Sequence, residues 1–288
     1  MYKFSVAIPT FNSSEFIKEC ILGFKNSKYI DEIIIMDDCS KDTEIEKIKK
    51  IINETDQNFN FTIKLQTNKN NLGAFVTKYN LISEAKNEWI YQIDSDNVPF
   101  RNIDKIIENI INENAPEEYI YFPSKIIQFR KYKYIAKLLS PFNPKYRVVF
   151  TKTSKVFDSQ LCKLAVLENI SYENSKKNNP QKKYNEINSK FVKEKHIFWV
   201  LNIGNFIVNK KVFLEVMSSG LAFERRLLSM DALVFSYLWL KSNKSIKLAN
   251  NFGHYHRKRY DSVSFTEKEN SAVSREYFTK KLLNLTDS

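Results

Sequence analysis

Apolar and polar positions along the first 125 residues follow two periods that exchange at short intervals. Phe4 to Ile8 is a nearly unbroken apolar run that reads as a buried strand, and Glu15 to Phe24 carries helical spacing. Asn12, with Glu15 three positions on, has the form of a capping box at that helix's start. Glu32 to Met36 is rich in β-branched residues and predicts a second strand, followed by a helix over Thr43 to Ile52 with Ile45, Ile48, Ile51 and Ile52 on one stripe. Phe61 to Gln66 predicts a third strand, Gly73 to about Ala85 a helix, Trp89 to Ile93 a fourth strand, Asp104 to Ile111 a helix, and Tyr119 to Pro123 a fifth strand. Repeated βα units predict a Rossmann-like α/β fold, a twisted and mostly parallel sheet with helices on both faces. Ligands of such sheets bind beyond the carboxyl ends of the strands.

The pattern loosens afterwards. Tyr172 to His196 is polar, rich in Asn and Lys, and reads as a flexible functional loop. Ile203 to Asn209 then predicts a strand, Lys211 to Met217 a short helix, and Asp231 to Lys241 a strongly apolar helix. Ile246 to Leu248 and Phe252 to His256 read as two short strands. Glu267 to Leu285 reads as a terminal helix whose apolar positions could form a homodimer contact.

Composition narrows the class. With 43% apolar and 27% charged residues over 288 positions, the chain can bury a large core, which excludes general disorder. No apolar run approaches the roughly 18 to 20 residues of a membrane-spanning helix. The start, Met1-Tyr2-Lys3, lacks the apolar stretch of a signal peptide. Cys20, Cys39 and Cys162 match no metal or disulfide spacing, so a cytoplasmic, soluble protein is expected. The net charge of +12 is uneven: residues 1–100 hold 12 basic and 15 acidic residues (−3), leaving 33 and 18 (+15) for residues 101–288. Lys125, Arg130, Lys131, Lys133, Lys137, Lys145, Arg147, Lys152 and Lys155 fall in a stretch with no acidic residue and with interleaved aromatics. That stretch reads as a solvated basic face or as a surface for anionic headgroups. Single-stranded nucleic acid also favours such a pattern, but no nucleic-acid-binding motif accompanies it, so nucleic acid is not an expected partner.

Candidate chemistry sits just after the predicted strands. Asp37 and Asp38 follow the second, and Asp94-Ser95-Asp96 follows the fourth. Two carboxylates one residue apart suit Mg²⁺ or Mn²⁺, which take hard oxygen ligands and leave positions for phosphate oxygens. Aspartates are also ordinary turn residues. His254 and His256 would face one side of a strand, as metal ligands or as a plain histidine pair. Arg257, Lys258 and Arg259 follow them, a solvated loop or a clamp on phosphates. Cys39 reads as buried filler, since no basic neighbour in sequence would activate its thiol.

Four segments occur together and in order: SVAIPTFN (Ser5 to Asn12), EIIIMDDCSKD (Glu32 to Asp42), NNLGAFVTKYN (Asn70 to Asn80) and EWIYQIDSDN (Glu88 to Asn97). In this they resemble the family 2 glycosyltransferases of GT-A fold. Downstream, NIGNFIVNKKVF (Asn202 to Phe213), Phe223-Glu224 with Met230-Asp231, and HYHRKRYDSVS (His254 to Ser264) resemble that family more loosely. The resemblance implies a metal-dependent inverting transfer of one sugar from a UDP-sugar to a bacterial surface glycan or glycolipid. It divides one catalytic domain into a nucleotide-sugar half, residues 1–125, and an acceptor half, residues 126–288. Pro9, Thr10 and Asn12 would then line the nucleotide floor and Asp38 would bond the uracil edge. Lys78 would meet a phosphate. Asp94, with Ser95 beside it, would lie by the ribose and the metal, and Asp96 would ligate the Mn²⁺ or Mg²⁺. Either His254 or His256 could add a metal ligand, and Arg257 could close over the diphosphate. Asp231 would be the general base, with Glu224 its substitute if Asp231 only caps the helix it opens. The resemblance also implies a position at the inner membrane face, through residues 125–155.

The sequence departs from the family at Met230, where Glu is usual, and at Tyr79, where Asn is frequent. Two other readings share some of these features. A nucleotidyltransferase would use a similar carboxylate pair, but its glycine- and lysine-rich loop is missing from Ile8 to Ser14. A non-catalytic module binding nucleotide or glycan would account for Met230.

Overall fold

The computed structural model describes residues 2–56, 59–114, 116–129, 147–149, 154–164, 166–167, 200–259 and 267–285. The predicted loop over 172–196 and much of the basic stretch lie outside these residues. The first half alternates β1 (Phe4–Thr10), α1 (Ser14–Leu22), β2 (Ile30–Asp37), α2 (Asp42–Asp56), β3 (Thr62–Thr67), α3 (Ala74–Glu84) and β4 (Trp89–Gln92). There follow β5 (Val98–Pro99), α4 (Ile103–Ile111), β6 (Tyr119–Phe129), β7 (Arg147–Val149), β8 (Lys155–Phe157) and β9 (Phe206–Asn209). The chain continues through α5 (Lys210–Met217), α6 (Asp231–Lys241), β10 (Ser245–Arg257) and α7 (Lys268–Leu283).

A single sheet joins both halves in the order β3-β2-β1-β4-β9-β6-β10-β5, with β7 beside β6 and β8 beside β10. The first four strands of that order are parallel, as the βα repeats require, and β9 enters antiparallel between β4 and β6. Side chains alternate across it as the pleat dictates. Val6, Ile8, Ile33 and Ile35 pack on the face covered by α1 and α4, while Ala7, Ile34 and Met36 join the cluster built on α3, α5 and α6. Because β1, β2 and β4 are covered on both faces, they carry the nearly continuous apolar runs seen in the sequence. Asn209 ends β9 and caps α5, accepting from the Val212 amide at 3.2 Å.

Several expectations change. The first helix starts at Ser14 behind Ser13; Asn12 stands at φ 46° and caps nothing. Its amide instead donates to Ser40 Oγ and its Oδ1 accepts from the Lys41 amide, which stitches the loop after β1 to the loop after β2. The two short strands near the end are one strand, β10, whose pairing with β6 shifts register between Ala249 and Gly253. The terminal helix buries Ser274, Phe278 and Leu282 within the chain. Ser274 Oγ donates to the Leu227 carbonyl, and the Phe278 ring meets those of Phe223 and Tyr237. No described helix is long and apolar enough to cross a membrane.

Candidate active site

The carboxyl ends of β1, β2 and β4 converge, and their loops carry the first group of candidates. Asp37, fully buried, accepts from both the amide and the hydroxyl of Ser40 and so closes the turn after β2. Asp38 points toward α3. Its carboxylate accepts from Asn68 Nδ2 at 2.9 Å and from the amides of Leu72 and Gly73 at 2.8 and 2.9 Å. These are donors at the start of α3 with no intrahelical partner, so Asp38 fixes the loop that delivers that helix. Gly73 permits the approach with φ 85°, a conformation that side-chain-bearing residues rarely adopt. Pro9 lies within β1 opposite Met36. Thr10 Oγ1, Ser13 Oγ and Ser95 Oγ form a chain of hydroxyls at 2.8 Å steps, which ties the end of β1 to the Asp-Ser-Asp turn. Phe11, between Thr10 and Asn12, is 44% exposed.

The second group meets at Lys78. This residue is buried in the middle of α3, and its Nζ lies 2.8 Å from Asp94 Oδ1 and 2.7 Å from Asp231 Oδ2. Burial opposes its charge, but the carboxylates of Asp231 and Asp94 outweigh that and hold its pKa above the ordinary lysine value. Asp94 is further placed by Gln92 Nε2 at 3.2 Å and by its own amide, which donates to Asn205 Oδ1 at 2.8 Å. Gly204 makes the crowding possible. A Cβ there would fall 2.7 Å from Asp94 Oδ2 and 3.2 Å from Lys78 Nζ. Asp231 is the first residue of α6, behind Met230, and its side chain is turned to Lys78. The helix-cap alternative for Asp231 therefore falls away.

The third group lies at the end of β10. His254 and His256 face one side with ring centroids 5.9 Å apart, as a period of two requires. His254 is buried, its Nδ1 has no hydrogen-bond partner, and burial followed by the charge of His256 pushes its pKa well down. Burial also lowers the pKa of His256, while Asp94 pulls it back up. Asp96 is pushed up to about 6 by burial and then by the charge of Asp94, against Arg259 and Arg257. Arg259 Nη1 stands 3.7 Å from Asp96 Oδ2. Arg257 is placed otherwise than the resemblance implied. Its guanidinium stacks between the rings of Phe16 and Phe129 and pairs with Glu19 at 2.7 Å, so only Nε reaches toward the Asp96 carbonyl.

Two expectations are not met. Glu224 is exposed and paired with Arg226, outside the group around Lys78. Cys39 is exposed at φ 66° rather than buried, with its thiol 3.6 Å from the Lys69 carbonyl. Sequence reasoning missed Phe11, Asn68, Gly204 and Asn205 as individuals. The last two sit in a Gly-Asn pair just before β9, in a chain with only five glycines, and that rarity was the available signal.

Among the described residues, no three His, Cys, Asp or Glu side chains are already gathered around a point as a metal cage. The donor set nevertheless fits a hard divalent cation. Two carboxylates flank Ser95, and burial with the charge of Asp94 raises the pKa of Asp96, as like charges held close do. The His256 imidazole feels the charge of Asp94.

Comparison with known proteins gives a consistent picture. Residues 5–163 match the glycosyl transferase family 2. A 99-residue stretch is 28% identical to the poly(ribitol-phosphate) beta-N-acetylglucosaminyltransferase TarS of Staphylococcus aureus strain Mu50, covering 33% of this chain and 16% of that protein. The matched stretch is thus under a fifth of the relative's length. The structure of S. aureus TarS 1–349 in complex with UDP-GlcNAc superposes with a TM-score of 0.56 at 17% identity, over 99% of this chain and 68% of that one. GalNAc-T7 with UDP, GalNAc and Mn²⁺ gives 0.56 at 13% identity, over 91% of this chain and 44% of that one. At these identities the likeness is one of fold, here a GT-A-like α/β fold.

Proposed function

The chain belongs to the family 2 glycosyltransferases, and on that premise we propose that it transfers a single sugar from a UDP-sugar to a hydroxyl of a bacterial surface glycan or glycolipid, with inversion. The observation that carries this reading is the meeting of Asp94 and Asp231 on one lysine. It brings a donor-side carboxylate from the end of β4 next to a carboxylate that opens the acceptor-side helix α6. The TarS complex with UDP-GlcNAc and the GalNAc-T7 complex with UDP support a uridine nucleotide as the donor carrier.

In this reading the loops after β1 and β2 hold the base, with Phe11 offering a stacking face and Asp38 keeping the pocket wall rigid. Asp94 and Asp96, with His256 or His254 beside them, would hold Mn²⁺ or Mg²⁺, which when bound offsets charge on the departing diphosphate. Arg259 lies on the same side as Asp96 and adds positive charge there. Asp231 accepts the proton of the acceptor hydroxyl at its carboxylate, as an inverting transfer requires of one group facing the acceptor. Glu224, turned to solvent, takes no part. The basic stretch over 125–155 is proposed to meet anionic lipid at the inner membrane face.

The direct test is UDP release from a panel of UDP-sugars, with Mn²⁺ or EDTA and with Asp96→Asn as the control. Metal-dependent release from one donor, lost in the variant, is the expected result. A protein that binds UDP but releases none from any donor, with or without acceptor glycans, would refute the reading.

A further inference from the structure

Resemblance gave Lys78 a phosphate as its partner, and its surroundings give it two carboxylates. The ammonium is buried, with 4% of the side chain exposed, and lies within 2.8 Å of Asp94 and 2.7 Å of Asp231. A third contact, to the Gly204 carbonyl, is long at 3.5 Å. Three partners satisfy the three protons of an ammonium. Asp94 follows β4 and Asp231 opens α6, 137 positions apart in the chain. Apart from Lys78, no hydrogen bond or ion pair among those found for the described residues joins them.

We propose that Lys78 is a positioning residue that ties Asp94 to Asp231, and that a divalent cation arriving at Asp94 competes with its ammonium. The inference rests on the functional reading above, which supplies the cation. Its physical content is a charge balance. One positive charge is shared by two part-exposed carboxylates, 34% and 17% exposed, and unlike charges at this range in a partly desolvated site attract one another. A cation near Asp94 meets like-charge repulsion from Lys78 and draws Asp94 away from it. The ammonium is then left to Asp231 and to whatever negative charge the donor brings. Loading of the donor side and placement of the acceptor-side carboxylate thus become one event.

This has a signature that a purely structural lysine lacks. Removing the ammonium should strengthen binding of the cation in the nucleotide-free protein, because a repelling charge is gone and Asp94 is released. Lys78→Met, which keeps length and apolar volume, is expected to bind Mn²⁺ about tenfold more tightly than the wild type. In EDTA it should bind UDP within about twofold of the wild type, since the ammonium is already committed to carboxylates. Gly204→Ala supplies an independent perturbation. Its Cβ intrudes on Asp94 Oδ2 and Lys78 Nζ without removing a charge, and it should shift Mn²⁺ affinity in the same direction. Should Lys78→Met fail to fold, as read from its thermal melt, Gly204→Ala carries the test. The measurements are Mn²⁺ titrations followed by electron paramagnetic resonance, and UDP titrations by calorimetry. Mn²⁺ affinity unchanged or weakened in both variants would overturn the inference, as would a tenfold loss of UDP affinity in EDTA for Lys78→Met, the mark of a phosphate ligand. A wild-type protein that binds UDP but no Mn²⁺ would overturn the metal reading together with this inference. Mn²⁺ binding that neither substitution alters overturns this inference alone.

Discussion

Asp96 illustrates how a residue can work against the fold that carries it. Its pKa of about 6 in the folded chain lies above the ordinary aspartate value, because burial and the neighbouring Asp94 both oppose its charge. A group raised in this way binds its proton more tightly when folded than when unfolded. Folding is therefore favoured at low pH, and stability is lost as pH rises from about 4 through 6. Asp96→Asn removes that penalty. In EDTA at pH 7 it should stabilise the chain by about 3 kcal/mol, an advantage that fades toward pH 4, measurable as denaturation midpoints at the two pH values. The same substitution should abolish metal-dependent turnover, the trade expected of a site that holds like charges together for a ligand. The two candidate bases separate as cleanly. Asp231→Asn should lower kcat by about 10²- to 10⁴-fold, whereas Glu224→Ala, at an exposed position, should stay within about twofold. The aspartates themselves were legible in the sequence because they follow strands. Their partner was not: Lys78 and Asp231 are far apart in the chain, and nothing local to Thr77-Lys78-Tyr79 says that a helix residue will be buried against carboxylates.

At the scale of elements, the first half was readable because local and long-range demands agree. The inner strands β1, β2 and β4 are buried on both faces and each helix has one apolar stripe, so the period of the sequence reports the structure directly. The errors fall where one element departs from its period. Asn250 and Asn251 look like a turn between two strands, and Asn251 does adopt φ 62°, yet β10 resumes at once because β6 continues beside it to Phe129. The long-range pairing decides, and it leaves no trace in a short window. Gly253 is the residue that makes resumption possible. A Cβ there would lie 2.4 Å from the Lys125 carbonyl oxygen and 2.3 Å from the Phe100 ring. Gly253→Ala should therefore destabilise the chain by about 2 to 3 kcal/mol, and should disturb His254, the next residue along. The loss would be read from urea midpoints, with an unchanged m-value as the sign of an intact fold. Asn209 offers a milder case. It caps α5 and also donates to Glu88 Oε1 at 2.9 Å, so Asn209→Ala should lower stability by about 1 to 2 kcal/mol.

For the whole molecule, the division of charge matters most. The first 100 residues carry −3 and the remainder +15, although strands from both parts share one sheet. The basic stretch is anchored at its ends in the second part of that sheet. Lys125 lies in β6, residues 147–149 pair with β6 as β7, and residues 155–157 pair with β10 as β8. In the proposed function this stretch meets an anionic surface, and charge supplies the attraction. Each basic residue near such a surface contributes about 1 kcal/mol, and salt shortens the reach of the field from about 10 Å at 0.1 M to about 3 Å at 1 M. The protein should therefore sediment with phosphatidylglycerol vesicles in dilute buffer, leave them as salt rises, and ignore phosphatidylcholine vesicles throughout. Replacing Lys131, Lys133, Lys137 and Lys145 by Glu should abolish sedimentation, because the attraction is one of charge. Binding that persists in high salt, or that is equal for neutral vesicles, would place the contact on apolar side chains and remove charge from the account.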